Sequence, residues 1–245
     1  MTKYILNNKK VFEIFCRTEQ ILQSGQFSIM SKFEEEEIGF WLNSFNKYIS
    51  KNDKILEMGC GSGRVLNALL QSGFISIGFD NNAYFVNYCK NRDLDIFHFD
   101  AARKVTEEYR NKYAAVGIAL NTLFNFPKII RKKWINQGYD FLTPKGFLVF
   151  SVYCDSKFSK SVIRERVKFY NAVIQPPKGY SIEFFDKNSR KGIQMLNPKG
   201  RVDWFSEWIK KDELIAEIHS WKKFKIIKID KMKCSIAFNV LLQRR

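Results

Sequence analysis

Residues 54–66 read Lys54-Ile55-Leu56-Glu57-Met58-Gly59-Cys60-Gly61-Ser62-Gly63-Arg64-Val65-Leu66, and no other stretch restricts the fold as tightly. Ile55, Leu56 and Met58 form a short apolar run of the kind a buried strand needs. Glycines then alternate at 59, 61 and 63, and from Val65 to Leu70 the apolar residues Val65, Leu66, Leu69 and Leu70 share one helical face. In a strand, glycine turn, helix order, a backbone bare of side chains can press against a nucleotide-like ligand, and the first N–H groups of the helix point at it. Dinucleotide-binding turns are spaced Gly-x-Gly-x-x-Gly. Here the glycines alternate, and an acid, Glu57, stands two residues ahead of the first. A turn with no ligand could carry the same string, so the rest of the chain has to decide.

The chain continues in a repeating strand–helix rhythm. Residues 75–80 (Ile-Ser-Ile-Gly-Phe-Asp) predict a second strand ending in Asp80, and residues 83–91 a helix. Residues 95–100 predict a third strand ending in Asp100, residues 102–112 a polar helix, and residues 114–120 a buried fourth strand leading into Asn121. A helix over 128–141, a turn at Thr143-Pro144-Lys145-Gly146 and a fifth strand over 147–153 complete the series. Apolar runs without alternation, separated by helices, indicate a parallel sheet covered on both faces.

Outside that core the pattern differs. Val11, Phe12, Phe15 and Cys16 are spaced as a helix that Gln20 to Gly25 would end. Glu34 to Glu37, followed by Ile38, Phe40, Trp41 and Phe45, predict an amphipathic helix whose solvated start the acids mark. Beyond Cys154, a basic helix over 157–174, a hairpin from 182–185 and 192–196, an extended piece at 202–208, a helix over 209–221 and two strands at 224–229 and 235–242 are expected.

Glu57-x-Gly59-x-Gly61-x-Gly63 resembles the first motif of class I S-adenosylmethionine-dependent methyltransferases. The resemblance implies an α/β, three-layer Rossmann-like seven-stranded sheet, mostly parallel with an antiparallel last strand, plus a lid insertion before the final helix. It also implies S-adenosyl-L-methionine as cofactor and S-adenosyl-L-homocysteine as product. In that family an acid ending the second strand holds the ribose hydroxyls, which Asp80 matches, with Asn81 beside it. An acid after the third strand accepts from the adenine amino group, which Asp100 matches, followed by Ala101. The end of the fourth strand lies beside the methionine part, which is Asn121 here. Gly59, Cys60, Gly61 and Gly63 would form the loop, and Glu57 would act through that loop and the methionine amino group. The 143–146 turn resembles the family's Leu-x-Pro-Gly-Gly, with Lys145 in place of the first glycine. Glu57, Asp80, Asp100 and Asn121 fall 23, 20 and 21 residues apart, one per strand–helix unit, at the strand ends where open α/β sheets bind ligands.

The reaction implied is in-line methyl transfer, in which alignment and exclusion of water do most of the work. No catalytic base is assigned. Tyr153 and Asp155 fall at the same sheet edge, and His98 and His219 read as structural. Neither an Asn/Asp-Pro-Pro-Tyr/Phe signature nor a Pro-Cys nucleophile occurs. Ala119-Leu120-Asn121-Thr122-Leu123-Phe124-Asn125-Phe126 instead resembles the corresponding stretch of small-molecule N- and O-methyltransferases, so a small-molecule acceptor is expected. Action on RNA or protein through the basic C-terminal part, or a non-catalytic binding subunit of the same fold, are the alternatives.

That basic part is real in the composition. Of a net +16, residues 1–154 supply 20 Lys and Arg against 15 acids, and residues 155–245 supply 21 against 10. Such a surface can attract nucleic acid or acidic substrates, although an AT-rich coding sequence would also enrich Lys. Five scattered cysteines without a Cys-x-x-Cys pair suggest no zinc site and a reducing, cytoplasmic setting. No apolar run long enough for a signal peptide or a membrane span is seen. One domain is expected: an N-terminal helical cap (1–50), a cofactor-binding core (51–153), a substrate lid (154–208) rich in aromatic residues, and the last helix with closing strands (209–245).

Overall fold

The computed structural model describes residues 8–24, 27–100, 104–120, 122–154, 160–187, 190–234 and 236–245. Ala101, Asn121, Asp155 and Phe158 of the lid, and residues 1–7, lie outside them. The chain order is α1 (Asn8–Gln23), α2 (Ser28–Tyr48), β1 (Lys54–Met58), α3 (Arg64–Gln71), β2 (Ile75–Asp80), α4 (Ala83–Lys90), β3 (Ile96–His98) and β4 (Tyr113–Ile118). A 3-10 turn (Thr122–Asn125), α5 (Lys128–Phe141), β5 (Leu142–Tyr153), α6 (Lys160–Ile174), β6 (Ser181–Lys187) and β7 (Arg190–Leu196) follow. The last elements are β8 (Val202–Trp208), α7 (Lys211–Ser220), β9 (Phe224–Lys231) and β10 (Ala237–Arg244).

Seven strands form one sheet in the order β3-β2-β1-β4-β5-β10-β9. The pairs from β3 to β5 are parallel, and β10 runs antiparallel to both β5 and β9, so β10 alone is reversed. Strand side chains alternate between two cores, as the period of two requires. Leu56, Met58, Val116, Ile118, Leu148 and Phe150 face α5 and α7. Ile55, Ala115, Phe147, Val149 and Leu241 face α2 and α3. Much of the first core is aromatic, with Phe79 in ring contact with Phe97, Phe99 and Phe141. Gly117 of β4 lets α2 approach, since a Cβ there would lie 2.1 Å from the Trp41 ring.

The segment before α7 makes a separate three-stranded antiparallel sheet, β6-β7-β8, with α6 against it. Its core includes Phe169, Ile193, Met195 and Trp208, together with Phe27, Met30 and Phe33 from the start of α2 and Tyr153 from the end of β5. Arg131 of α5, 1% exposed, ties this sheet to the main one by pairing with Glu207 of β8 (2.9 Å) and Glu217 of α7 (3.2 Å).

Three expectations fail. Residues 107–111 form turns and no helix, because that stretch has no apolar stripe to bury. The four glutamates do not start α2 but sit in its interior, and Glu37 is fully buried. The 143–146 turn is drawn into β5, where Lys145 has a φ of 63° and the pairing with β4 shifts register.

Candidate functional site

The carboxyl ends of β1, β2, β3 and β4 lie side by side because these strands are parallel neighbours. The glycine loop leaves β1 there. Gly59, Gly61 and Gly63 all have left-handed backbone, with φ of 66°, 54° and 76°, which explains why glycine recurs at every second position. The Gly63 N–H closes the loop on the Cys60 carbonyl at 2.9 Å, and Gly63 then caps α3.

Asp80 ends β2 directly across from this loop. Its Oδ2 accepts from the Gly61 N–H (3.0 Å) and its Oδ1 from the Asn82 N–H (2.8 Å). Burial pushes this carboxyl above the usual range, while the N–H groups of Asn82, Gly61 and Asn81 and the nearby His98 pull it back. Each oxygen keeps a lone pair for a further donor. Asn81 is exposed, and its carbonyl accepts from His98 Nε2 at 3.0 Å. Asp100 lies two residues past β3 in a cavity of about 230 Å³ with His98, Phe99 and Tyr109.

Glu57 and Cys60 point elsewhere. Glu57 is buried beneath the loop and accepts from the Leu66 N–H at 2.9 Å, so it fixes α3 to β1. Burial raises its carboxyl to about 8, against the opposing pull of Arg64. The Cys60 thiol packs on Gly78, where a Cβ would come within 2.7 Å of it, and beside Cys89, whose thiol donates to the Gly61 carbonyl at 3.3 Å.

Several contributors escaped the sequence reading. Glu37 accepts from the Leu120 N–H at 2.8 Å and pairs with Arg64, joining the end of β4 to the start of α3. Its position one turn ahead of Trp41 was the available signal. Helix α1 lies over the loop: Phe15 would contact a Cβ on Gly61 at 3.5 Å, and the Ser62 hydroxyl donates to Glu19 at 2.9 Å. Phe12 packs on Tyr84, Phe85 and Tyr88 of α4. The Trp134 ring of α5 stands 3.1 Å from where a Cβ on Gly59 would be. Tyr153, which the sequence places at this sheet edge, is buried at the end of β5 under the Arg166 guanidinium, 4.0 Å from its ring centre, and burial drives its phenol far above the ordinary value. A phenol so held is no base near neutral pH.

Residues 42–133 match the family described as methionine biosynthesis protein MetW. No curated protein matches the sequence. Among solved structures, an S-adenosylmethionine-dependent methyltransferase from Methanosarcina mazei is 15% identical, covers 82% of this chain and 96% of its own, and has a TM-score of 0.58. A similar enzyme from Clostridium acetobutylicum is 11% identical over 86% and 91%, with a TM-score of 0.59. The 1,6-didemethyltoxoflavin-N1-methyltransferase of Burkholderia thailandensis is 11% identical over 94% and 87%, with a TM-score of 0.57. By these overall similarities the chain has the Rossmann-like α/β fold of the S-adenosylmethionine-dependent methyltransferases.

Proposed function

We propose that the protein is an S-adenosylmethionine-dependent methyltransferase that methylates a nitrogen or oxygen of a small-molecule acceptor. The observation that carries this reading is the Asp80 carboxylate, held by two backbone N–H groups against a loop of three left-handed glycines. The residues present fit the cofactor. The glycines leave backbone in place of side chains along the loop, and the Asp80 oxygens retain acceptor capacity for a vicinal diol. Asp100 borders a cavity beside the aromatic rings of Phe99 and Tyr109, suited to a flat heteroaromatic ring. When bound, the cofactor supplies an activated methyl group on a sulfonium. Asp80 would hold the ribose, Asp100 and the rings the base, and Gly59 to Gly63 the chain between them, with Asn81, Ala101 and Asn121 at the borders. Glu57 would act indirectly, by fixing the loop to α3. No residue is assigned as a base.

Residues 154–208 would be the lid over the acceptor and α1 with α2 the cap. The rings of this lid favour a small acceptor over RNA. Tyr170 packs on Trp204 (5.1 Å), Phe184 on Trp208 (5.4 Å) and Phe169 on Phe27 (5.2 Å), so they are spent on each other instead of on exposed bases. The Burkholderia neighbour, whose structure holds a small heterocyclic acceptor with S-adenosylhomocysteine, supports the same class.

Calorimetric titration of S-adenosylmethionine and S-adenosylhomocysteine tests the proposal. Wild type should bind both, and Asp80→Ala should weaken binding at least a hundredfold. The absence of wild-type binding at millimolar ligand would refute it.

A further inference from the structure

On the α2 side of the sheet, the edge strand β9 lacks a helix of its own, because α2 lies over β10 through Trp41, Phe45 and Leu241. The result is a groove of about 480 Å³ between α2 and β9, remote from the glycine loop in its lining residues. Its walls carry Lys47 from α2 and Lys228, Lys231 and Lys233 from β9 and the turn after it. The two carboxylates there are already engaged. Glu36 accepts from the Lys233 and Cys234 N–H groups, and Asp230 pairs with Lys228 at 2.5 Å. Among the described residues, Lys47 and Lys231 make no salt bridge.

The floor is polar as well. Ser44 and Asn239 line it although they are only 7% and 3% exposed. Asn239 Oδ1 is taken by the Ser151 hydroxyl at 2.8 Å, so its amide N–H groups are what it can offer a ligand. Two rings border the groove: Phe40, which Lys228 approaches at 5.7 Å, and Tyr48, which stacks on Phe147 and is 41% exposed.

We propose that this groove is a second binding site, for a nucleoside di- or triphosphate. The ammonium groups of Lys47 and Lys231, with Lys228 beside Asp230, match a polyphosphate, buried hydroxyl and amide donors match sugar oxygens, and the rings match a base. The volume falls within the range of small-molecule pockets. The site is independent of the methyl-transfer reading, since it shares no residue with the loop, Asp80 or Asp100.

The test is calorimetry at low salt with ATP, GTP, pyrophosphate, adenosine and a single-stranded octanucleotide, on wild type, the double variant Lys228→Glu/Lys231→Glu, and Asp80→Ala. We expect ATP or GTP to bind wild type and Asp80→Ala alike, adenosine to bind far more weakly, and the double variant to lose at least tenfold in nucleotide affinity. The double variant should keep its melting temperature and its affinity for S-adenosylhomocysteine, which shows that it is folded. Three results would overturn the proposal: no nucleotide binding to wild type, binding insensitive to the two lysines, or binding lost in Asp80→Ala and displaced by S-adenosylhomocysteine. An octanucleotide that binds through the same lysines more than tenfold tighter than ATP would also overturn it, in favour of a nucleic-acid strand.

Discussion

Glu57 shows how one buried group can set a pH dependence. In the folded protein its carboxyl holds a proton up to about pH 8, whereas in the unfolded chain it releases that proton near the ordinary 4.5. Between those values the folded state binds more protons, so the contribution of Glu57 to stability is fully present below 4.5 and is lost as pH rises through 8. Melting curves between pH 5 and 8 should therefore fall with pH, and Glu57→Gln, which stays neutral and keeps an acceptor for Leu66, should flatten that slope. An unchanged slope would mean that Glu57 is ionised in the native state. The acid at 57 was legible from its place in the motif. That it faces α3 was not, because its partner, the Leu66 N–H, is fixed only once α3 has formed.

Helix α2 is anchored by its acids, and this is where sequence reading failed most clearly. Glu34 to Glu37 looked like a solvated helix start because acids favour that end of the dipole. The helix begins six residues earlier, and three of the acids have partners far along the chain: Glu34 pairs with Arg64, Glu36 holds the turn after β9, and Glu37 holds Leu120 and Arg64. No local pattern encodes such contacts. Removing Glu37 leaves the Leu120 N–H without its acceptor and Arg64 with Glu34 as its remaining acid, so Glu37→Ala should cost about 3 kcal/mol in urea unfolding. A loss under 0.5 kcal/mol would show that water replaces the pair. By contrast, β1 and β2 could be read almost to the residue. Each is a short, largely buried run closed by a glycine (Gly59) or an acid (Asp80), and the burial is set by local composition. Of the helix expected over 102–112, the described residues 107–111 form turns, since only polarity and length recommended a helix there.

The N-terminal helix α1 meets α4 and its cap through rings and a few polar contacts, such as Asn82 Nδ2 to the Asn8 carbonyl at 2.8 Å. Deleting residues 1–26 should leave the sheet folded and cooperatively unfolding in urea, but should weaken S-adenosylhomocysteine binding about tenfold. Global unfolding of the truncated protein would mark α1 as part of the core. The position of β10 has a consequence for synthesis. This strand, latest in the chain, lies between β5 and β9, and Ala237 follows Tyr153 by 84 residues. At ribosomal speeds that gap lasts roughly 4–17 s. Throughout it β5, with the uncharged run Phe147-Leu148-Val149-Phe150-Ser151-Val152-Tyr153, offers a bare hydrogen-bonding edge to any neighbouring nascent chain. Slowing translation after β5 should thus lower the yield of native protein, and a chaperone that shields strand edges should restore it.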